Sequence, residues 1–157
     1  MAISSFGASR VAPRQRQAAA EGAVTMRRDY FAYAINFFGL GAGQAQNGAI
    51  QIQSDSDFEA QKLSFFADIA GAPQTADARV LPLVSLQITD TGTGRQIFST
   101  DIPIPATMGD GQIPFILPTT KIFSANASVA FLVTNYAAAT AYNVRLVMHG
   151  AKLFRYG

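Results

Sequence analysis

From residue 30 onward, large apolar side chains recur at every second position in short runs, and stretches rich in glycine, proline and asparagine separate the runs. In residues 30–38 (YFAYAINFF), Phe31, Tyr33, Ile35 and Phe37 fall on one side, and Ala32, Ala34 and Asn36 on the other. Successive side chains of a strand point to opposite faces, so a period of two buries one face and leaves the other free. A helix would scatter the same residues around its circumference. The glycines at 39, 41 and 43 end this first strand, and Asn47-Gly48 predicts a turn before a short strand over residues 49–53.

The pattern continues along the chain. Over residues 58–69, Leu63, Phe65, Ala67 and Ile69 alternate with Lys62, Ser64, Phe66 and Asp68, and Phe66 is the exception, placed to meet a second layer or a partner. Residues 70–78 read as a loop, and residues 81–89 as a strand with Val84, Leu86 and Ile88 inward. Asp90-Thr-Gly-Thr-Gly94 makes a tight connection from which residues 95–98 return as a hairpin. Pro103, Pro105, Pro114 and Pro118 restrict their segments to edge strands or loops, because proline has no N–H for a ladder. Two further strands cover residues 128–135 and 141–154, the last with Tyr142, Val144, Leu146 and Met148 on one face and Asn143, Arg145, Val147 and His149 on the other. Seven or eight such strands, with no amphipathic helix and no internal repeat, predict an all-β fold: a β-sandwich of jelly-roll type.

The chain has 157 residues, enough for one domain with a proper core. Ahead of the strands, residues 1–28 are rich in Ala, Ser, Gln, Gly and Arg, and too poor in large apolar groups to offset the entropy of ordering them alone. The organisation expected is therefore an extended basic N-terminal arm over residues 1–28 and a sandwich domain over 29–157. The arm carries Arg10, Arg14, Arg16, Arg27 and Arg28 against Glu21 alone, so the formal charge of +2 resides there. These five arginines are the candidate subunit- or capsid-contacting residues. Pairing with acidic groups of neighbouring subunits is the favoured role, ahead of a contact to nucleic-acid phosphates, since the arm brings no aromatic platform for bases. Charged residues amount to 14% of the chain, against about 25% in an average soluble domain, which points to an exterior partly covered by partners.

Little here suggests catalysis. Cysteine is absent, which removes thiolate nucleophiles, disulfides and the usual zinc ligands. The single histidine, His149, has no nucleophile elbow to serve and reads as a surface or interface residue. Asp90-Thr91-Gly92 resembles the Asp-Thr-Gly motif of aspartic proteases, in which two carboxylates share a proton. Thr93-Gly94 follow where that family has Ala or Ser, and the stretch is good turn chemistry between two strands. Asp55, Asp57 and Glu59 alternate, and would share one strand face as hard oxygen ligands for Ca²⁺, but they lack the other ligands and the glycine of an EF-hand loop. No metal and no cofactor is therefore implied. The glycine clusters at 39–43 and 92–94 do not open a helix and are not phosphate loops, and Asn126-Ala-Ser128 matches the glycosylation pattern without a secretion signal to give it meaning. No apolar run reaches the roughly eighteen residues of a membrane helix, so the expectation is an intracellular chain, soluble until it assembles.

Over residues 54–154 the chain resembles small virion proteins of tailed bacteriophages, the decoration, cement or minor capsid proteins. The resemblance lies in SDSDFEAQKLSFFADIAG, the LVSLQITDTGTGRQIFSTDIPIP hairpin, PFILPTTKIF and the closing TAYNVRLVMHGAKLF. It implies a sandwich or jelly-roll core, dimers or trimers on a capsid lattice, and termini that extend across neighbouring subunits. The expected function is non-enzymatic: a structural protein of the virion capsid, made in the host cytoplasm, whose partners are the major capsid protein or other virion subunits. A head-to-tail connector or tail component is the structural alternative, and a dimeric aspartic protease using Asp90 is the alternative from another class.

Overall fold

The computed structural model describes residues 25–72 and 79–156. Along them run β1 (Thr25–Leu40), β2 (Ala45–Gln51), β3 (Asp57–Ile69), β4 (Val84–Asp90), β5 (Arg95–Gln96) and β6 (Ile102–Pro103), then one helical turn α1 (Ile104–Thr107), then β7 (Phe115–Phe123), β8 (Ser128–Asn135) and β9 (Tyr142–Tyr156). No helix among these residues is long and apolar enough to cross a membrane.

The strands form two antiparallel sheets of four and five strands, in the orders β1-β9-β3-β7 and β2-β8-β4-β5, with β6 also paired to β4. Pairing is nested along the sequence: β1 with β9, β2 with β8, β3 with β7, and β4 with β5 and β6. The inward faces meet in one core, where Phe58, Phe123, Met148 and Leu146 of the first sheet lie with Leu86, Ile88 and Phe131 of the second, all essentially inaccessible to water. This is the β-sandwich that period-two alternation requires. Phe31, Tyr33, Ile35 and Phe37 share the inner face of β1, as do Tyr142, Val144, Leu146 and Met148 on β9 and Val84, Leu86 and Ile88 on β4.

Several boundaries differ from the sequence expectation, each for a local reason. Strand β1 begins at Thr25, four residues before the expected domain boundary, because Thr25–Arg28 continue the ladder with Leu153–Tyr156. Asn47-Gly48 is no turn: both residues lie within β2, opposite Leu132 and Phe131. A Cβ on Gly48 would sit 2.7 Å from Ile35 Cδ1 and 3.0 Å from the Phe37 ring, so this glycine lets β1 side chains press against β2. The reversal occurs earlier, where Gln44 N–H donates to the Gly41 carbonyl (3.1 Å) and Gly43 takes φ +69. Residues 115–123 do form an edge strand, one of the two placements expected for Pro118, which sits where the pairing with β3 is interrupted. Ile69, in the same alternating series as Leu63, Phe65 and Ala67, is exposed at the end of β3, while Asp68 is buried beside its backbone β-bridge to Arg79.

Strand β3 holds the sharpest irregularity. Its pairing with both β7 and β9 skips Gln61, a bulge that moves the inward positions from Phe58 and Ala60 to Leu63, Phe65 and Ala67. One inserted residue thus keeps apolar groups of both parities on the core face. Gly150 of β9 lies opposite, paired with Ala60, and a Cβ there would fall 1.9 Å from the Glu59 carbonyl oxygen. At the other end of the sandwich, the fully buried Asn135 side chain donates to the carbonyls of Leu40 (3.0 Å), Gly41 (3.1 Å) and Thr140 (2.8 Å) and accepts from Ala137 N–H (2.8 Å). One amide thereby ties the β1–β2 turn to the β8–β9 connection and leaves none of its own polar atoms unpaired.

Because the Glu59 carbonyl belongs to a strand ladder and cannot swing aside, Gly150→Ala overpacks the sheet. Overpacking of this kind costs roughly 3 kcal/mol, and the melting temperature should drop by roughly 10 °C. Circular dichroism melts of the two proteins measure it, and equal midpoints would show that β3 yields.

Candidate functional site

The segment entering β4 alternates in the same sense as the strand it feeds. Pro82 and Val84 turn inward, which leaves Leu81 and Leu83 outward at 77% and 64% exposure. Tyr136, just past β8, is held beside them by its backbone N–H to the Leu83 carbonyl (2.8 Å) and is itself 64% exposed. Pro103 of β6 and Pro105 of α1 form the facing wall of a trough of about 490 Å³, a volume within the roughly 300–1,000 Å³ of ligand pockets. Its one charged group is Asp101. Ser85 Oγ (2.7 Å) and Tyr136 OH (2.8 Å) donate to Oδ2, and Thr100 Oγ1 donates to Oδ1 (3.2 Å). These hydroxyls, that of Ser85 foremost, hold the Asp101 carboxyl below the usual carboxylate range. The result is an apolar trough with a fixed negative charge in its wall. Large apolar side chains left this open to water are characteristic of surfaces that meet another molecule.

The outer face of the first sheet mixes aromatic rings with polar groups that are paired with one another. His149 of β9 lies between β1 and β3, with Tyr30 OH 3.0 Å from Nδ1 and Ser64 Oγ 2.8 Å from Nε2. Each hydroxyl can donate or accept, so the neutral imidazole is satisfied in either tautomer. Burial, and secondarily the charge of Lys62, push the His149 pKa below its ordinary 6.5. Further along, the Arg145 guanidinium stands over the rings of Phe38 (5.6 Å) and Phe66 (6.0 Å), and Arg79 stands 5.6 Å from Phe66. Phe66, the exception to the alternation, is thus an outward ring capped by two cations.

The residues singled out from sequence have separate fates. Arg10, Arg14 and Arg16 lie outside the described residues. Arg27 and Arg28, expected on the arm, belong to β1: Arg27 pairs with Asp29 (2.9 Å), and Arg28 reaches the buried Glu59 carboxylate (3.1 Å). The Asp90 carboxylate folds back on its own turn, accepting from Gly92 N–H (3.1 Å) and Thr93 Oγ1 (2.9 Å), with Lys121 Nζ at 3.5 Å. Although burial opposes it, this set of donors and the lysine charge lower its pKa. Asp55, Asp57 and Glu59 do not converge. Asp55 pairs with Lys152 (2.7 Å), Asp57 accepts from Ala125 N–H (2.9 Å) and Arg155 (3.3 Å), and Glu59 takes Thr120 Oγ1 (2.9 Å) besides Arg28. Among the described residues no cluster of three or more His, Asp or Glu side chains could hold a metal ion.

Sequence reasoning passed over the trough and the Tyr30–His149–Ser64 array. The trough carried a readable signal in the unbroken apolar stretch LPLV, which feeds both faces at once. The array depends on register, which no single strand encodes. Comparison of the chain with protein-family models gives no match, and comparison with curated proteins gives none either.

His149 makes stability depend on pH in a definite direction. The unfolded histidine takes up its proton near 6.5 while the folded one resists it, so unfolding binds protons in that range. Stability should be complete above about pH 6.5 and decline as the pH falls through 6.5 toward the lowered folded value. His149→Gln should flatten thermal midpoints measured between pH 7.5 and 5, above the range where the carboxylates titrate. An unchanged slope would assign the acid sensitivity elsewhere.

Proposed function

We propose that this chain is a structural virion protein that binds and stabilises a bacteriophage capsid, as a decoration, cement or minor capsid protein. The observation that carries the reading is the open apolar trough at Leu81, Leu83 and Tyr136, on a sandwich whose charged groups are largely spent on one another. Such a surface suits a lasting contact with another protein better than turnover of a small polar substrate. The nested strand order supports the jelly-roll reading of the fold, because two Greek keys wound together pair first strand with last and second with next to last. The resemblance of residues 54–154 to tailed-phage virion proteins supports the capsid as the setting. The partners are the major capsid protein or other virion subunits, and the chain itself acts as a homo-oligomer.

A protein that coats a capsid must be present in numbers comparable to the shell. Quantitative mass spectrometry of purified particles should find this chain at copy numbers of the same order as the major capsid protein. A handful of copies per particle would instead fit a connector or tail component and overturn the decoration role.

Because Arg27 and Arg28 lie in β1, the arm is taken to end before Thr25. Removing residues 1–24 should leave the thermal transition in place and weaken binding to particles. Removing residues 1–28 should also lower the melting temperature, because it deletes the first ladder residues of β1 and strips the buried Glu59 of its arginine. Parallel melts and co-sedimentation with capsids separate the two effects.

A further inference from the structure

We propose that the trough at Leu81, Leu83 and Tyr136 receives residues 10–14 (RVAPR) from a second copy of this chain, with Val11 and Pro13 in the trough and a flanking arginine on Asp101. This rests on the reading of the arm as an assembly element and not on the identity of the capsid.

Three observations converge on that occupant. The first is composition: Val11-Ala12-Pro13 is a short apolar stretch bracketed by Arg10 and Arg14, matching a trough that is apolar except for Asp101. Proline arrives already ordered and costs little to fix. The second is hydrogen-bonding capacity. A carboxylate offers about four acceptor positions, and Ser85, Tyr136 and Thr100 occupy two on Oδ2 and one on Oδ1. One direction on Oδ1 remains for a guanidinium, and the three hydroxyls hold the carboxylate in place to receive it. Charge-assisted pairs of this kind are the stronger ones.

The third observation is reach, which decides between the chain's own arm and a neighbour's. The arm joins the sandwich at Thr25, paired with Tyr156. The trough lies at the opposite end of β1: Val84 pairs with Asn135, which holds the Leu40 carbonyl, and Leu83 is bonded to Tyr136. Sixteen residues of β1 span about 50 Å at roughly 3.3 Å per residue. Val11 is fourteen residues from Thr25, and a fully extended chain of that length reaches at most about 50 Å. The chain's own segment would have to run dead straight along the sandwich, with no residue left to turn into the trough. A second copy, free to approach from beyond that end, meets no such limit. Exchange of this kind either closes into a ring or symmetric dimer, or continues from copy to copy.

The natural chain contains no cysteine, so introduced thiols report without background. Full-length Val11→Cys and Leu81→Cys proteins are mixed under mild oxidation, and the mixed disulfide is compared with that between Val11→Cys and Gln51→Cys, an exposed position on β2. Docking raises the local thiol concentration, so the Leu81 pairing should exceed the Gln51 pairing by about tenfold or more. Adding Asp101→Asn to the Leu81→Cys protein should reduce that excess. Equal yields at the two positions would overturn the proposal. So would a double Val11→Cys/Leu81→Cys protein that closes internally as a monomer on dilution, because the arm would then serve its own trough. Since only the isolated chain is used, failure here leaves the capsid role to be judged on virion copy number, and the reverse holds equally.

Discussion

Everything in the sandwich is arranged around β9. It lies between β1 and β3 and is in register with both along most of its length, so Tyr142, Val144, Leu146 and Met148 form the midline of the buried face. A strand with partners on both sides satisfies its backbone groups completely, and its side chains are fixed by two neighbours rather than one. The demand on sequence is correspondingly strict. At Gly150, where the β3 bulge brings the Glu59 carbonyl in, only the absence of a side chain permits the approach. The same arrangement requires pairings between residues more than a hundred positions apart, as in Tyr30 with His149. Non-local ladders of this kind place such folds at the slow end of two-state folding.

Charge is scarce in this chain, and the structure spends it internally. Lys152, buried and paired with Phe58, holds its ammonium 4.6 Å from the centre of the Phe31 ring and ends on Gln53 and Asp55. Glu59 is closed by Arg28 and Thr120, Asp90 by its own turn and Lys121, and Asp57 by Arg155 and the Ala125 amide. These pairs hold the sandwich margins together and contribute little to long-range attraction, because each charge is largely cancelled at close range. What remains exposed includes large apolar groups: the trough beside β4, Ile113 just before β7, and Ile116 and Ile122 on it.

Alternation made the strands legible, and the turn residues made most of their ends legible. Val84, Leu86 and Ile88, and the closing Tyr142 to Met148 series, fall where period-two reasoning puts them. It failed where a tertiary contact outweighs local chemistry. Asn47-Gly48 has strong turn character, yet the room Gly48 leaves for Ile35 and Phe37 keeps it within a strand. The bulge at Gln61 left a trace, since inward residues change from even to odd positions between Ala60 and Leu63, but only pairing on both sides identifies it. For the trough, sequence supplied the ingredients and not the assembly. Leu81, Leu83, Pro103 and Tyr136 come from three separate segments, and only the nested topology makes them neighbours.

Pro118 bears on how copies can meet without losing their identity. Strand β7 is an outer edge carrying Ile116 and Ile122, and it pairs with β3 only over Phe115–Ile116 and Lys121–Phe123. Between those short stretches stands a residue with no hydrogen to donate, so the edge offers no continuous template for another strand. Along β7, copies crowded at high density can therefore adhere through side chains while this edge's backbone stays closed. Contacts made that way can be undone and remade, whereas a growing intermolecular sheet anneals into fibre and does not let go.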